Sequence, residues 1–192
     1  MNTKDEVIGA TLRVIATHGF QAVTIRHVAT EVNRSTTVVT HYFANRNALL
    51  REVVGSAIKE RREAVESVIN DASDPTWAFL EWSIDADVDG VWPAVVAASA
   101  AGIESEVVGA ARQFDQWWTD RLTQLLRERQ GNYEDPAVLA DAIGVVIDGF
   151  VVGLGISKSS NEERLHLLHI LLDPLVPPLL KNRRTRLVNA ST

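Results

Sequence analysis

The chain has no cysteine among its 192 residues, and only one methionine and two tyrosines. Without cysteine there can be no disulfide, no thiol nucleophile and no thiolate-ligated zinc. No uninterrupted apolar run reaches the roughly 20 residues that a membrane span needs. Met1-Asn2-Thr3-Lys4-Asp5-Glu6 lacks the basic-then-apolar order of a secretory signal, so a cytoplasmic location away from membranes is expected. A glycine-rich phosphate loop, a nucleophile elbow and a paired histidine–glutamate zinc motif are absent too. A helical enzyme is therefore unsupported, and neither a cofactor nor a metal is expected.

What is present is apolar and periodic. Hydrophobic residues make up 46% of the chain, ample for one large domain or a small one beside a larger one. The net charge of −6 is unevenly spread: residues 1–62 carry +4 and the remainder −10. A basic head on an acidic body directs a polyanion to one end of the molecule.

The pattern predicts an all-α chain. Thr3 with Glu6 forms a capping box for a first helix whose face is Ile8, Leu12 and Ile15, with Ala16 beside them. Gly19 suits its C-terminal cap and Phe20 the contact that follows. Thr24 caps a second helix, and Asn45 a long fourth running to about Asn70. Asp74-Pro75 opens the next helix. Asp85 to Gly90 reads as a loop, and Pro93 starts an alanine-rich helix. Val107, Ala111, Phe114, Trp118, Leu122 and Leu125 then form a sustained stripe. Asp135-Pro136 and the pair Ser160 and Glu163 begin two more helices. Pro174, Pro177 and Pro178 break the C-terminal region, and the tail beyond is polar.

Residues 24–50 carry the chemistry. Ile25, Val28, Ala29 and Val32 recur at i, i+3, i+4 and i+7, one buried helical face. Asn33-Arg34-Ser35 interrupts them: Asn tolerates a left-handed turn, and Ser35 can accept from the next helix's N–H groups. That helix buries Val39 and Phe43 and leaves Thr36, Thr37, Thr40 and His41 outside. This is a helix-turn-helix, whose second helix reads the major groove of double-stranded DNA.

The segment Leu12 to Leu50 resembles the tetracycline-repressor (TetR) family of bacterial transcription regulators. The resemblance rests on Gly19-Phe20, Thr24-Ile25-Arg26, Val28-Ala29, Ser35, His41-Tyr42-Phe43, Asn45-Arg46 and Ala48-Leu49-Leu50; beyond these, only helix number and length agree. It implies a three-helix DNA-binding head, here residues 1–46. It also implies a helical body at 47–181 that binds a small-molecule effector and dimerises through its last two long helices, with a polar tail at 182–192. Effector binding would weaken DNA binding, as in a repressor released from a palindromic operator. The family usually has glycine at positions 33 and 37, tyrosine at 40 and lysine at 46; here stand Asn33, Thr37, Thr40 and Arg46. The more polar face should still bind DNA, but no operator sequence carries over.

Within the head, Thr24, His41, Tyr42 and Arg46 are candidates for phosphate. Thr36, Thr37 and Thr40 are candidates for base edges, Arg26 and Arg34 can reach either, and Ser35 lies among them. All five tryptophans lie in the body. Trp77, Trp82, Trp92, Trp117 and Trp118, with Phe79 and Phe114, could wall an apolar effector cavity or simply fill the core. Trp117 and Trp118 must point about 100° apart on a helix, so one of them should face a pocket or a partner. Glu81 and Asp85 would suit a cationic ligand, although an exposed acidic face explains them as well. Residues 136–157 are apolar nearly all round and need a second surface to cover them. A twofold homodimer is expected there, built on Ile143, Ile147, Gly149, Phe150 and Gly153 together with Leu165, Leu168 and Leu172. His166, His169 and Asp173 have metal-capable spacing but read better as polar edge residues. The remaining alternative is a DNA-binding regulator with no small ligand.

Overall fold

This computed structural model describes residues 3–85, 92, 94, 95, 98, 105–129, 133–154 and 159–179, and most of them are helical, as the periodicity along the chain leads one to expect. These contain α1 (Thr3–His18), a 3-10 turn (Phe20–Ala22), α2 (Ile25–Glu31), α3 (Thr36–Tyr42) and α4 (Arg46–Asp71). There follow α5 (Pro75–Asp85), α6 (Ser105–Glu128), α7 (Pro136–Leu154) and α8 (Asn161–Leu172). No strand occurs among the described residues. The expected start of a helix at Pro93, most of the loop to Gly90 and the polar tail lie outside them.

The chain forms two compact units: Met1–Glu63 with Asp87–Trp118, and Ala64–Ala86 with Thr119–Thr192. In the first, α1, α2 and α3 pack on one another. The buried face of α1 is Val7, Ala10, Thr11, Val14 and Ile15, whereas Ile8 and Leu12 are only half-buried and Ala16 is exposed. The reason for this rotation is Thr11, whose Oγ1 donates to the Val7 carbonyl at 2.7 Å and so hides a polar residue in the core. Phe20, Val28, Ala29, Val39, Phe43, Leu49, Leu50, Val53 and Val54 complete this interior.

In the second unit α5 packs on both α7 and α8. Helix α5 starts at Asp74, whose Oδ1 accepts from the Trp77 amide at 3.3 Å. Asp135 caps α7 through the amides of Ala137 and Val138, and Ser160 with Glu163 forms a complete capping box on α8. The interior here is Trp77, Phe79, Leu80 and Ile84 against Ala140, Ile143, Ile147 and Val151, with Leu168 and Leu172.

Helix α7 is long and apolar enough to cross a membrane by length and composition, with mean hydropathy 1.8 over Pro136–Gly153. Little of it is buried within the chain, and two aspartates, Asp141 and Asp148, stand exposed on it. Its apolar surface calls for a cover.

Candidate nucleic-acid interface

The connection between α2 and α3 sets where α3 begins. Asn33 takes φ 52°, the only positive φ outside glycine among the described residues. The Arg34 amide donates to the Ala29 carbonyl at 2.9 Å and the Asn33 amide to Thr30 at 3.0 Å. That pair of bonds is a Schellman closure, which satisfies the last carbonyls of α2 and turns the chain sharply. Asparagine therefore does here what glycine would do, as its tolerance of the left-handed region implied.

Before α2, Thr24 accepts from the His27 amide through its hydroxyl at 3.0 Å and stays exposed. The His27 Nδ1 meets the Ala22 carbonyl at 2.9 Å. Ser35 begins α3 through its carbonyl, which accepts from Val38 at 3.1 Å, but its side chain makes no capping bond. The expected hydroxyl cap on α3 is thus absent. Backbone bonds already close the turn, and the Ser35 side chain remains exposed.

Helix α3 has one buried residue, Val39, and Phe43 just beyond it is buried as well. Thr36, Thr37, Thr40, His41 and Tyr42 are all exposed. The His41 and Tyr42 rings meet edge to face at 5.0 Å. Beside them lies a cleft of about 440 Å³ lined by Thr3, Arg34, Ser35, Thr37, His41 and Tyr42. Arg34 faces Glu6 at 3.6 Å, a half-exposed pair that is weakly held and open to exchange for a phosphate. Arg26 is exposed on α2. One small surface therefore gathers hydroxyls, an imidazole, a phenol and the Arg34 guanidinium, groups of the kind that phosphate and base-edge contacts use.

Arg46 departs from expectation. Its Nε donates to the Val23 carbonyl at 2.7 Å and one terminal nitrogen donates to Phe20 at 2.8 Å. The side chain is half-buried and clamps the turn between α1 and α2 onto the start of α4. A phosphate role was expected because a cation stands at a helix start. The carbonyls it serves lie more than twenty residues earlier, and no local pattern marks them.

The model of bacterial regulatory proteins, tetR family, matches residues 7–53, the segment that builds this surface. Residues 7–53, about a quarter of the chain, are thus similar to that family. Among curated proteins, the chain is 26% identical over 151 residues to the HTH-type transcriptional regulator BetI of Agrobacterium fabrum, covering 76% of this chain and 73% of that one. In fold it is similar to a Saccharomonospora viridis protein crystallised with choline, with TM-score 0.77, 17% identity and coverage of 89% and 95%. It is also similar to the fatty acid degradation regulator FadR of Bacillus halodurans, with TM-score 0.73, 18% identity and coverage of 90% and 95%. The family model and the curated relative are both of bacterial transcriptional regulators.

The aromatic residues expected around an effector separate into two groups. Trp77 and Phe79 are core residues of the second unit, 1% and 0% exposed. Trp77 stacks on His169 at 4.1 Å and donates from its indole nitrogen to Val176 at 2.9 Å, so it is filled on both sides. Trp82 is half-buried on the same helix. In the first unit, Phe114 meets Trp92 at 4.4 Å and Trp117 at 5.5 Å. Arg61 lies over Trp92 at 4.8 Å, and Arg62 over Trp117 at 4.9 Å. Trp118 is buried while its neighbour Trp117 is half-exposed, as their angular separation required.

Glu81 and Asp85 are both engaged inside the chain. Glu81 meets His169 Nε2 at 2.8 Å, and Asp85 accepts from Asn161. Asp173 meets the other ring nitrogen of His169 at 3.0 Å, and His166 is exposed. No cluster of metal-ligating residues occurs among the described residues.

The expected dimer face needs correction. Ile143, Ile147, Leu168 and Leu172 are buried within a single chain, against α5 and its neighbours. Phe150, Gly153 and Leu165 are half-buried, and Gly149 is exposed. The exposed apolar residues are instead Val138, Val145 and Val152 on α7, seven residues apart, and Leu167, Ile170 and Leu171 on α8. A helix apolar on every side gives no periodicity by which to tell its inner face from its outer one.

Proposed function

We propose that the chain acts as a homodimeric repressor that binds a palindromic operator through α3 and releases it when a small molecule binds. The observation that carries this reading is the division of α3. Val39 and Phe43 anchor it from within, while Ser35, Thr36, Thr37, Thr40, His41 and Tyr42 face outward beside Arg34. Thr36, Thr37 and Thr40 address base edges; Thr24, His41, Tyr42, Arg26 and Arg34 address phosphates. The protein works by binding, in the cytoplasm, and not by catalysis.

The dimer reading draws support from the exposed stripe Val138, Ala142, Val145, Gly149 and Val152, matched by Leu167, Ile170 and Leu171. Neither Gly149 nor Gly153 has anything within 4 Å of where a Cβ would sit, which leaves room for a second helix to approach. In role, residues 1–46 form the reading head, 47–181 the effector-binding and dimerising body, and 182–192 a polar tail.

The effector site we favour is the cluster of Trp92, Phe114 and Trp117 with Arg61 and Arg62. Both arginines sit on α4, the helix that follows the reading head, and all five residues belong to the same compact unit as that head. A fold relative crystallised with choline supports a small-molecule site in this architecture. Binding there acts on DNA affinity through the difference in effector affinity between two states of the protein.

The test is selection of bound sequences from random duplex DNA, followed by a small-molecule screen for release. A palindromic consensus and an effector that lowers affinity for it are expected. A non-palindromic consensus would remove the dimer, and loss of DNA binding altogether would remove the reading helix.

A further inference from the structure

Thr40 lies on the exposed face of α3 with Thr36 and Thr37, one turn further along the helix. Its Oγ1 donates back to the Thr36 carbonyl at 3.1 Å and the Thr37 carbonyl at 3.2 Å. A hydroxyl carries a single proton, so this bond removes Thr40 as a donor toward any base. Turning the oxygen onto the preceding turn leaves the Cγ2 methyl as the heavy atom that faces outward. The hydroxyls of Thr36 and Thr37 make no such bond among the described residues. The three threonines are therefore alike in sequence but not in chemistry.

In the major groove, the 5-methyl of thymine is the single apolar mark among base edges otherwise read by hydrogen bonds. Resting on the reading of α3 as the groove-facing helix, we propose that Thr40 is a specificity-determining residue. It selects thymine in the operator by packing its methyl against the thymine 5-methyl. Thr36 and Thr37 are left to address polar edges, and a bidentate guanine contact from position 40 is excluded by the chemistry of the side chain.

The experiment uses the full chain. Its preferred site is first selected from random duplex DNA, and each thymine of that site is then replaced in turn by uracil, which lacks only the 5-methyl. One thymine should stand out, its replacement weakening binding by about fourfold, the worth of one buried methyl-sized group. Thr40→Ser keeps the hydroxyl and its back-bond but loses the methyl, and should bind the thymine and uracil sites equally. Thr40→Val keeps a methyl at that place without the hydroxyl, and should retain the discrimination. The uracil comparison on the unaltered protein needs no variant to fold. If no thymine is sensitive, or if Thr40→Ser discriminates as well as the parent, the thymine assignment is overturned while the regulator reading stands. If no sequence is enriched from random DNA, both are overturned.

Discussion

Arg129 closes a two-pronged bond on Asp74, with both side chains withdrawn from water at 6% and 2% exposure. Asp74 also begins α5 and accepts from the Leu179 amide at 3.2 Å, while Arg129 donates to the Pro177 carbonyl. One buried pair thereby holds the chain beyond α8 against the start of α5. Breaking such a pair from one side leaves an uncompensated charge inside, at a cost of about 3–5 kcal/mol. Asp74→Ala should unfold far below the parent in a urea titration. A midpoint unchanged within error would mean that the pair is not closed in solution.

Arg46→Ala removes two charge-assisted bonds, and the Phe20 carbonyl is left with only its bond from the Val23 amide. Bonds of that kind are worth roughly 1.5–3 kcal/mol each. The expected outcome is a lower melting temperature for the variant, with weaker DNA binding that follows from the loss of fold. A phosphate contact would give a different signature: an unchanged melting temperature, and a salt dependence of binding shallower by about one unit of slope.

Substituting the outer face of α7 should separate assembly from folding. Val145 is 75% exposed and Ile143 is fully buried, two residues away on the same helix. Val145→Glu is expected to run as a monomer by light scattering at micromolar concentration, with its helical circular dichroism intact. Ile143→Glu should lose the helical signal itself, since a lone carboxylate in the core has no partner. A folded dimer from Val145→Glu would place the interface elsewhere.

Burial pushes the Tyr133 phenol above its ordinary value, while the neighbouring Arg129 pulls the other way without prevailing. Folding therefore favours the protonated phenol. The stability this contributes is fully present below the unfolded value and is lost as pH rises through the folded one. In a Tyr42→Phe background, the remaining tyrosine should form its phenolate at higher pH than free tyrosine does, followed by ultraviolet absorbance. A transition at or below the free value would show that the ring is solvated.

How much of this was legible in the sequence depended on whether the signal was local. The α2 stripe, the left-handed Asn33, the Thr24 cap and the Ser160–Glu163 box are each set by neighbours within a few residues, and all are found where the pattern put them. The α1 register was missed because Thr11 reads as polar, and only its bond to Val7 makes it an inside residue. The Arg46 clamp and the Asp74–Arg129 pair join positions far apart in the chain, which no spacing rule connects. On α7, valine and isoleucine are interchangeable by hydropathy, so Val145 could not be told from Ile143 until α5 was seen to lie against one side. In the candidate interface, exposure of the threonines followed from the anchors Val39 and Phe43. The bond that sets Thr40 apart from its neighbours did not, because any of the three could have formed one.

Asp141 and Asp148, on the otherwise oily outer side of α7, bear on partner choice among kin. A seam of bare valines would mate with any helix of similar girth, including those of other regulators built alike. In the homodimer we propose, a carboxylate in each half of that face would penalise alignments that bury it without a donor opposite, favouring self-pairing in one register over mixing.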